Sequence, residues 1–249
     1  MPTPYPIDIV IVSYDRIELT TKMITYLWDR TKNPFRIIVV DNGSGARIAQ
    51  RLWMMHRQGL IHHLLLLGEN YGIHMGHNYG LDLVRSEPYY ISTDNDLLCP
   101  NLEPDWLEQL TRLMDTYGHL GAIACRPQIL VGRGNYGFDE VEDVLEMGHI
   151  GAHLRIMRTA EVRESGGWRR QFDRNRNDEE RWICRKLHNM GYKVGYAKNI
   201  YCYHMWVDDN WGYPKDITME DHGHREIYPP PSHYARIPVD PETFVPEGR

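Results

Sequence analysis

Ile7-Asp8-Ile9-Val10-Ile11-Val12 runs into Ser13-Tyr14-Asp15-Arg16, and the six residues before that break decide the class of fold. All but Asp8 are β-branched and apolar, with no helical period, which is the pattern of a strand buried on both faces. Reading outward, the same unit recurs. Leu19, Met23, Tyr26 and Leu27 are spaced for one helical face, and Asn33-Pro34 ends that helix because the residue before a proline disfavours the α region. A second buried strand over 35–40 follows, closing on Asp41-Asn42-Gly43-Ser44-Gly45. Helices near 46–56 and 74–85 alternate with strands near 62–67 and 89–93. Such alternation predicts right-handed crossovers and an α/β fold with a Rossmann-like, mostly parallel central sheet flanked by helices. Sheets of this kind take their ligands at the carboxyl ends of the strands. Three polar segments stand there: Ser13-Tyr14-Asp15, Asp41-Asn42-Gly43 and Asp94-Asn95-Asp96.

Beyond Asp96 the alternation loosens. Residues 105–117 form an amphipathic pattern (Trp106, Leu107, Leu110, Leu113, Met114), 122–125 suit a strand, and the glycines of 132–137 suit a loop. A helix is expected over 178–190, stopped by Gly191. From Trp206 the chain turns polar and rich in proline, as an extended tail does.

Composition removes several classes of function. The 249 residues are 42% hydrophobic and 25% charged, enough for a core. No run approaches the ~18 apolar residues of a membrane span. The opening Met1 to Pro6 has neither a basic nor an apolar signal region. Cys99, Cys125, Cys184 and Cys202 form no Cys-x-x-Cys pair, so zinc ribbons and disulfide scaffolds are not expected, and a cytoplasmic location is. A net charge of −6 disfavours bulk attraction to nucleic acid. Ser13-Tyr14-Asp15-Arg16 stands where a dinucleotide fingerprint or a Walker lysine loop would, and no Gly-x-Ser-x-Gly elbow occurs.

Asp94 and Asp96 leave a strand end two residues apart, a pattern suited to a divalent cation shared with substrate phosphates. Residues 9–16 and 38–44, with Asn70-Tyr71-Gly72, Gly76-His77-Asn78-Tyr79-Gly80 and Asp94-Asn95-Asp96, resemble the family-2 glycosyltransferases of GT-A fold. Gly166-Gly167-Trp168, Asp178-Glu179-Glu180, Leu187, Gly191-Tyr192 and His204 continue the likeness in order, over about residues 7–206.

The resemblance implies a single GT-A type domain over 1–207. Its nucleotide-binding half would be about 1–100 and its acceptor-binding half about 101–207, with 208–249 a Pro-rich tail or lid. It also implies roles. Asp41 would bond the nucleotide base, and Val12, Ser13, Tyr14 and Asp15 would line the base pocket beside Asn70. Asp94, with Thr93 and Asn95 on either side, would face the ribose; Gly76 and Asn78 would complete the floor. His77 stands where many relatives carry arginine, and a neutral imidazole is a weaker anion partner, so the base is left open with a UDP-sugar the first expectation. Asp96 and His204, aided by Asp94, would hold a metal, and the imidazole suits Mn2+ better than Mg2+. Either Glu180 or Glu179 would be the general base: family spacing selects Glu180, and the apolar stripe Ile183, Leu187, Met190 places Glu179 on the packed face.

The expectation is a metal-dependent inverting glycosyltransferase moving one sugar to an acceptor hydroxyl. Arg169, Arg170, Arg174 and Arg176 favour an anionic acceptor or simply make a solvated face. His222 and His224, beside Glu220 and Asp221, form a rival metal cluster or solvated tail histidines. A nucleotidyltransferase and a non-catalytic sugar-nucleotide-binding module are the alternatives.

Overall fold

The computed structural model describes residues 6–127, 140, 141, 143–168 and 178–205. Strand β1 (Ile7–Ser13) is buried along its whole length. It pairs in parallel with β2 (Phe35–Asp41) and with β4 (Tyr89–Asp94), and β2 pairs in parallel with β3 (His63–Leu66). Because side chains alternate across a strand, the run splits between two cores. Ile9, Ile11, Ile37, Val39 and Ile91 pack under α1 (Ile17–Arg30), α2 (Ala46–Arg57) and α4 (Trp106–Thr116). Val10, Ile38 and Tyr90 face α3 (Ile73–Leu83) and α6 (Asp178–Asn189). Covering on both faces is the reason these strands carry almost no polar alternation.

In the second half, where the alternation loosens, parallel and antiparallel pairs mix. The order is β3-β2-β1-β4-β9-β6-β10-β8-β7, with β5 (Leu97–Leu98) on β10. Strand β9 (Arg155–Arg158) runs antiparallel between β4 and β6 (Leu120–Pro127), so the sheet is mixed. Strands β7 (Glu140–Val141) and β8 (Val144–Met147) and helix α5 (Thr159–Glu164) have no counterpart in the sequence reading. Arg155 explains why β9 is cryptic: its guanidinium, 1% exposed, reaches the Ile150 carbonyl and Ser92 Oγ and lies over the Trp168 ring, so a charged residue stands where alternation calls for an apolar one.

Two features of this fold position the site. The parallel register sets Ser13 against Asp41 and Val12 against Asp94, bringing three strand ends to one rim. Strand β10 (Lys193–His204) runs with β6, shifts register between Tyr196 and Tyr201, and then meets β5 with His204 opposite Leu97. That crossing delivers His204 to the residue after Asp96. No helix among the described residues is long and apolar enough to cross a membrane. The loop expected at 132–137, the arginines at 169–176, the pair His222 and His224 and the tail at 208–249 lie outside the described residues.

Candidate active site

The rim encloses a cleft of about 410 Å³. Val12, Ser13, Tyr14 and Arg16 from the end of β1 line it, with Asn42 after β2, Asn70, Gly72 and Ile73 before α3, Asp94 to Asp96 after β4, and His204. Local hydrogen bonds hold the walls. Asn42 donates from Nδ2 to Asn70 Oδ1 (2.9 Å) and accepts at Oδ1 from the Tyr71 amide (3.0 Å), pinning the 70–72 turn to the β2 end. Gly72 enters α3 at φ +83, a conformation that suits glycine. Asn95 turns inward and donates to Thr20 Oγ1 (2.9 Å), which also meets Ser13 Oγ (3.0 Å), so the turn between the two carboxylates is tied to β1.

Asp96 is the electrostatic centre of the cleft. It is 2% exposed. Its Oδ2 accepts from Arg16 Nη1 at 3.0 Å. Its Oδ1 is buried with no hydrogen-bond partner among the described residues and lies 3.8 Å from His204 Nε2. The Met205 amide bonds the Asp96 carbonyl (2.8 Å), clamping the end of β10 to the acidic turn. Among the described residues no three His, Cys, Asp or Glu side chains gather as a metal cage, so a cation here would have two protein ligands and need the rest from substrate.

Other expected residues sit around this centre in different ways. Asp15, at φ +51, donates its amide to Ser44 Oγ (2.9 Å). Asp41 is 1% exposed and accepts from the Ser44 hydroxyl and amide; burial pushes its carboxyl up, the two Ser44 bonds oppose this, and Asp15 adds to it. Thr93 is fully buried, accepting from the Leu154 amide (3.3 Å) and donating to the Asp94 carbonyl (3.1 Å).

The structure places His77 and Gly76 against the sheet and Asn78 against Trp168, and none of the three lines the cleft. His77 stacks on Trp168 at 4.8 Å and meets Ser92 Oγ at 3.1 Å. Burial first, then Arg155 and His74, hold its pKa far below the usual value, so the ring is neutral. Asn78 grips Trp168 at both backbone polar groups, donating to its carbonyl (2.5 Å) and accepting from its amide (2.8 Å). Gly76 admits Val12, whose Cγ1 would stand 2.6 Å from an added Cβ.

On the opposite side, Glu180 in the first turn of α6 accepts at Oε1 from the Ala152 amide (3.1 Å), while the Ala152 carbonyl accepts from the Asp94 amide (3.3 Å). The backbone of one residue, Ala152, thus links the expected base to the acidic turn. Glu179 shares that helical turn, and its side chain lies outside the described residues.

Sequence reasoning missed Arg16, which follows the Ser13 to Asp15 segment it had singled out, and gave no role to Asn42, which it had placed in the polar end of β2. The strand-end rule covers both positions. It also missed His153, whose ring packs edge-on to His204 at 5.6 Å and meets the Tyr196 hydroxyl at 3.3 Å. Burial, with His204 and Arg155 nearby, pushes its pKa down to about 3. Nothing around Gly151-Ala152-His153 signals this in the sequence, because the contacts come from β10.

The model of the family described as Glycosyl transferase family 2 matches residues 8–198. No curated protein matches the chain. Among solved structures, S. aureus TarS shares 15% identity over 81% of this chain and 37% of its own, with a TM-score of 0.62. TarS 1-349 in complex with UDP-GlcNAc shares 16% over 81% and 61%, with a TM-score of 0.60. Mannosyltransferase PcManGT from Pyrobaculum calidifontis, in complex with GDP-Man and Mn2+, shares 16% over 82% and 59%, with a TM-score of 0.62. The chain spans less than two thirds of the length of each. These likenesses establish the GT-A fold.

Proposed function

The chain belongs to glycosyl transferase family 2, and from that premise we propose that it moves a sugar from a nucleoside-diphosphate sugar, a UDP-sugar first, to an acceptor hydroxyl with inversion. The observation that carries this reading is the buried Asp96 carboxylate, with one oxygen bonded by Arg16 and the other facing the His204 imidazole across 3.8 Å. Metal–oxygen and metal–nitrogen bonds of roughly 2.1 Å fit between two such atoms. Asp96 and His204 would hold a divalent cation, and an imidazole ligand favours Mn2+ over Mg2+. When bound, such an ion supplies Lewis-acid neutralisation of the departing diphosphate. The solved neighbours bound to UDP-GlcNAc and to GDP-Man with Mn2+ support the donor class and the cation.

The protein groups divide the remaining work. Tyr14, Asn42 and Asn70 line the wall against which base and ribose would lie, and Asp94 would face the ribose; Asp41, buried next to Asn42, would bond the base. Glu180, fixed through Oε1 by the Ala152 amide, keeps Oε2 to accept the proton of the attacking hydroxyl. A single displacement served by one base inverts the anomeric centre. The acceptor would enter from the side of α6.

The test is a panel of sugar nucleotides with and without Mn2+, read by thermal shift and by released nucleoside diphosphate. One donor should raise the melting temperature in Mn2+ and be turned over, and Asp96→Asn should lose both responses. Released pyrophosphate would indicate a nucleotidyltransferase instead, and binding without any release would indicate a non-catalytic module.

A further inference from the structure

We propose that His153 is a specificity-determining residue, whose Nε2–H donates a hydrogen bond to a hydroxyl of the sugar being transferred. This extends the glycosyl-transfer reading above, on which it rests. In a single displacement the departing diphosphate and the base stand on opposite faces of the anomeric carbon, so the sugar ring fills the space between them. His153 stands beside both ends of that space. Its ring meets His204 edge-on at 5.6 Å. On the other side, a Cβ added to Gly151 would stand 2.5 Å from His153 Nδ1 and 3.0 Å from Glu180 Oε1, so imidazole and carboxylate crowd the same glycine.

The backbone is bent to aim this ring. Leu154, fully buried, has φ +49, a left-handed conformation that a branched side chain rarely takes. Such strain persists only where the surroundings enforce it, and it gathers at ligand sites. The Leu154 amide donates to the Ala152 carbonyl (3.1 Å), closing a tight turn with His153 at its apex. The Asp94 amide bonds the same carbonyl (3.3 Å) and the Cys125 amide bonds the His153 carbonyl (2.9 Å), which fixes the turn to β4 and β6. Tyr196 then selects the tautomer. Its oxygen accepts from the Gly151 amide (2.9 Å), and its one proton has His153 Nδ1 (3.3 Å) as its acceptor among the described residues. With Nδ1 accepting, the imidazole carries its own proton on Nε2. Among the described residues no acceptor meets that N–H, and His153 is only half-buried. A sugar hydroxyl is the acceptor this donor lacks.

The experiment uses the full chain at saturating Mn2+ with UDP, UDP-glucose, UDP-galactose and UDP-GlcNAc. Calorimetry gives dissociation constants, and release of UDP to water gives kcat/KM for each donor. The proteins are wild type, His153→Phe, His153→Gln and His153→Asn. His153→Phe keeps a ring and loses the donor group. Its kcat/KM for the preferred donor should fall about tenfold, roughly one hydrogen bond, while UDP binds within about twofold of wild type. His153→Gln, whose amide nitrogen reaches the Nε2 position, should regain most of the rate; His153→Asn, whose amide reaches only the Nδ1 position, should not. Should His153→Phe fail to fold, the Gln and Asn pair still decides. A ring that only braced His204 would weaken UDP along with the donors and would not separate Gln from Asn. Either result overturns the proposal and leaves the glycosyl-transfer reading standing, because the wild type still releases UDP. A wild type that neither binds nor cleaves any of the three donors overturns the UDP-sugar reading, and the role of His153 with it.

Discussion

Gly80→Ala sets two opposed effects against each other, and the structure decides the winner. Gly80 lies inside α3, where exchange of glycine for alanine stabilises a helix by about 1 kcal/mol. Here, however, an added Cβ would stand 2.2 Å from Val10 Cγ1 and 3.4 Å from Val10 Cβ and Cγ2. Carbon atoms prefer about 3.5–4.0 Å, so the nearest contact overlaps by more than about 1 Å. Val10 cannot retreat. It is fully buried in β1, paired with Ile38 on one side and Ser92 on the other, and a β-branched side chain has few rotamers. The helix must lift from the sheet, and overpacking of this kind costs up to about 3 kcal/mol. The net expectation is a destabilisation of about 2 kcal/mol. Val10→Ala removes the obstructing methyl, so in that background Gly80→Ala should revert to a gain of about 1 kcal/mol, a coupling near 3 kcal/mol. Urea unfolding of wild type, both single variants and the double variant measures the cycle. A stabilising Gly80→Ala on the wild-type background, or additive effects, would refute the reasoning.

Two further outcomes follow from the site and its support. Glu180→Gln keeps an acceptor for the Ala152 amide but removes the base, so transfer should fall by about 10²- to 10⁴-fold while donor-induced thermal shift is retained; a dead Glu179→Gln beside an active Glu180→Gln would move the base by one residue. His77 titrates far below its usual 6.5 when folded, so below pH 6.5 the unfolded chain binds a proton that the folded chain refuses, and stability falls as pH falls. The unfolded histidine limits this loss to at most about 2 kcal/mol at pH 5; His77→Gln should lessen the drop in urea midpoint between pH 7 and pH 5, and an equal drop in both proteins would show that His77 does not contribute it.

Legibility in the sequence followed the range of the interactions involved. The first hundred residues read well: β1, β2, β4, α1 and α2 emerge near their observed bounds because apolar runs, helical spacing and Asn-Pro or Gly punctuation are local signals. Strand β9 escaped because buried Arg155 breaks its alternation, and its partners come from β4 and β6. In the site, the polar strand ends at Ser13, Asp41 and Asp94 were visible for the same local reason. The positions of His77 and Asn78 were not, since a histidine beside an asparagine reads equally as a wall of a cleft or as a partner of Trp168.

The amino-acid order by itself determined the alternation of strand and helix, the polar rim and the family likeness, because each depends on neighbours a few residues apart or on short motifs. Only the tertiary structure decided which charges meet. Arg16, Asp96 and His204 are joined by the β1–β4 register and by the crossing of β10 onto β5. Contacts between residues so far apart in the chain are set by sheet order and strand register, which the periodicity of single segments does not encode.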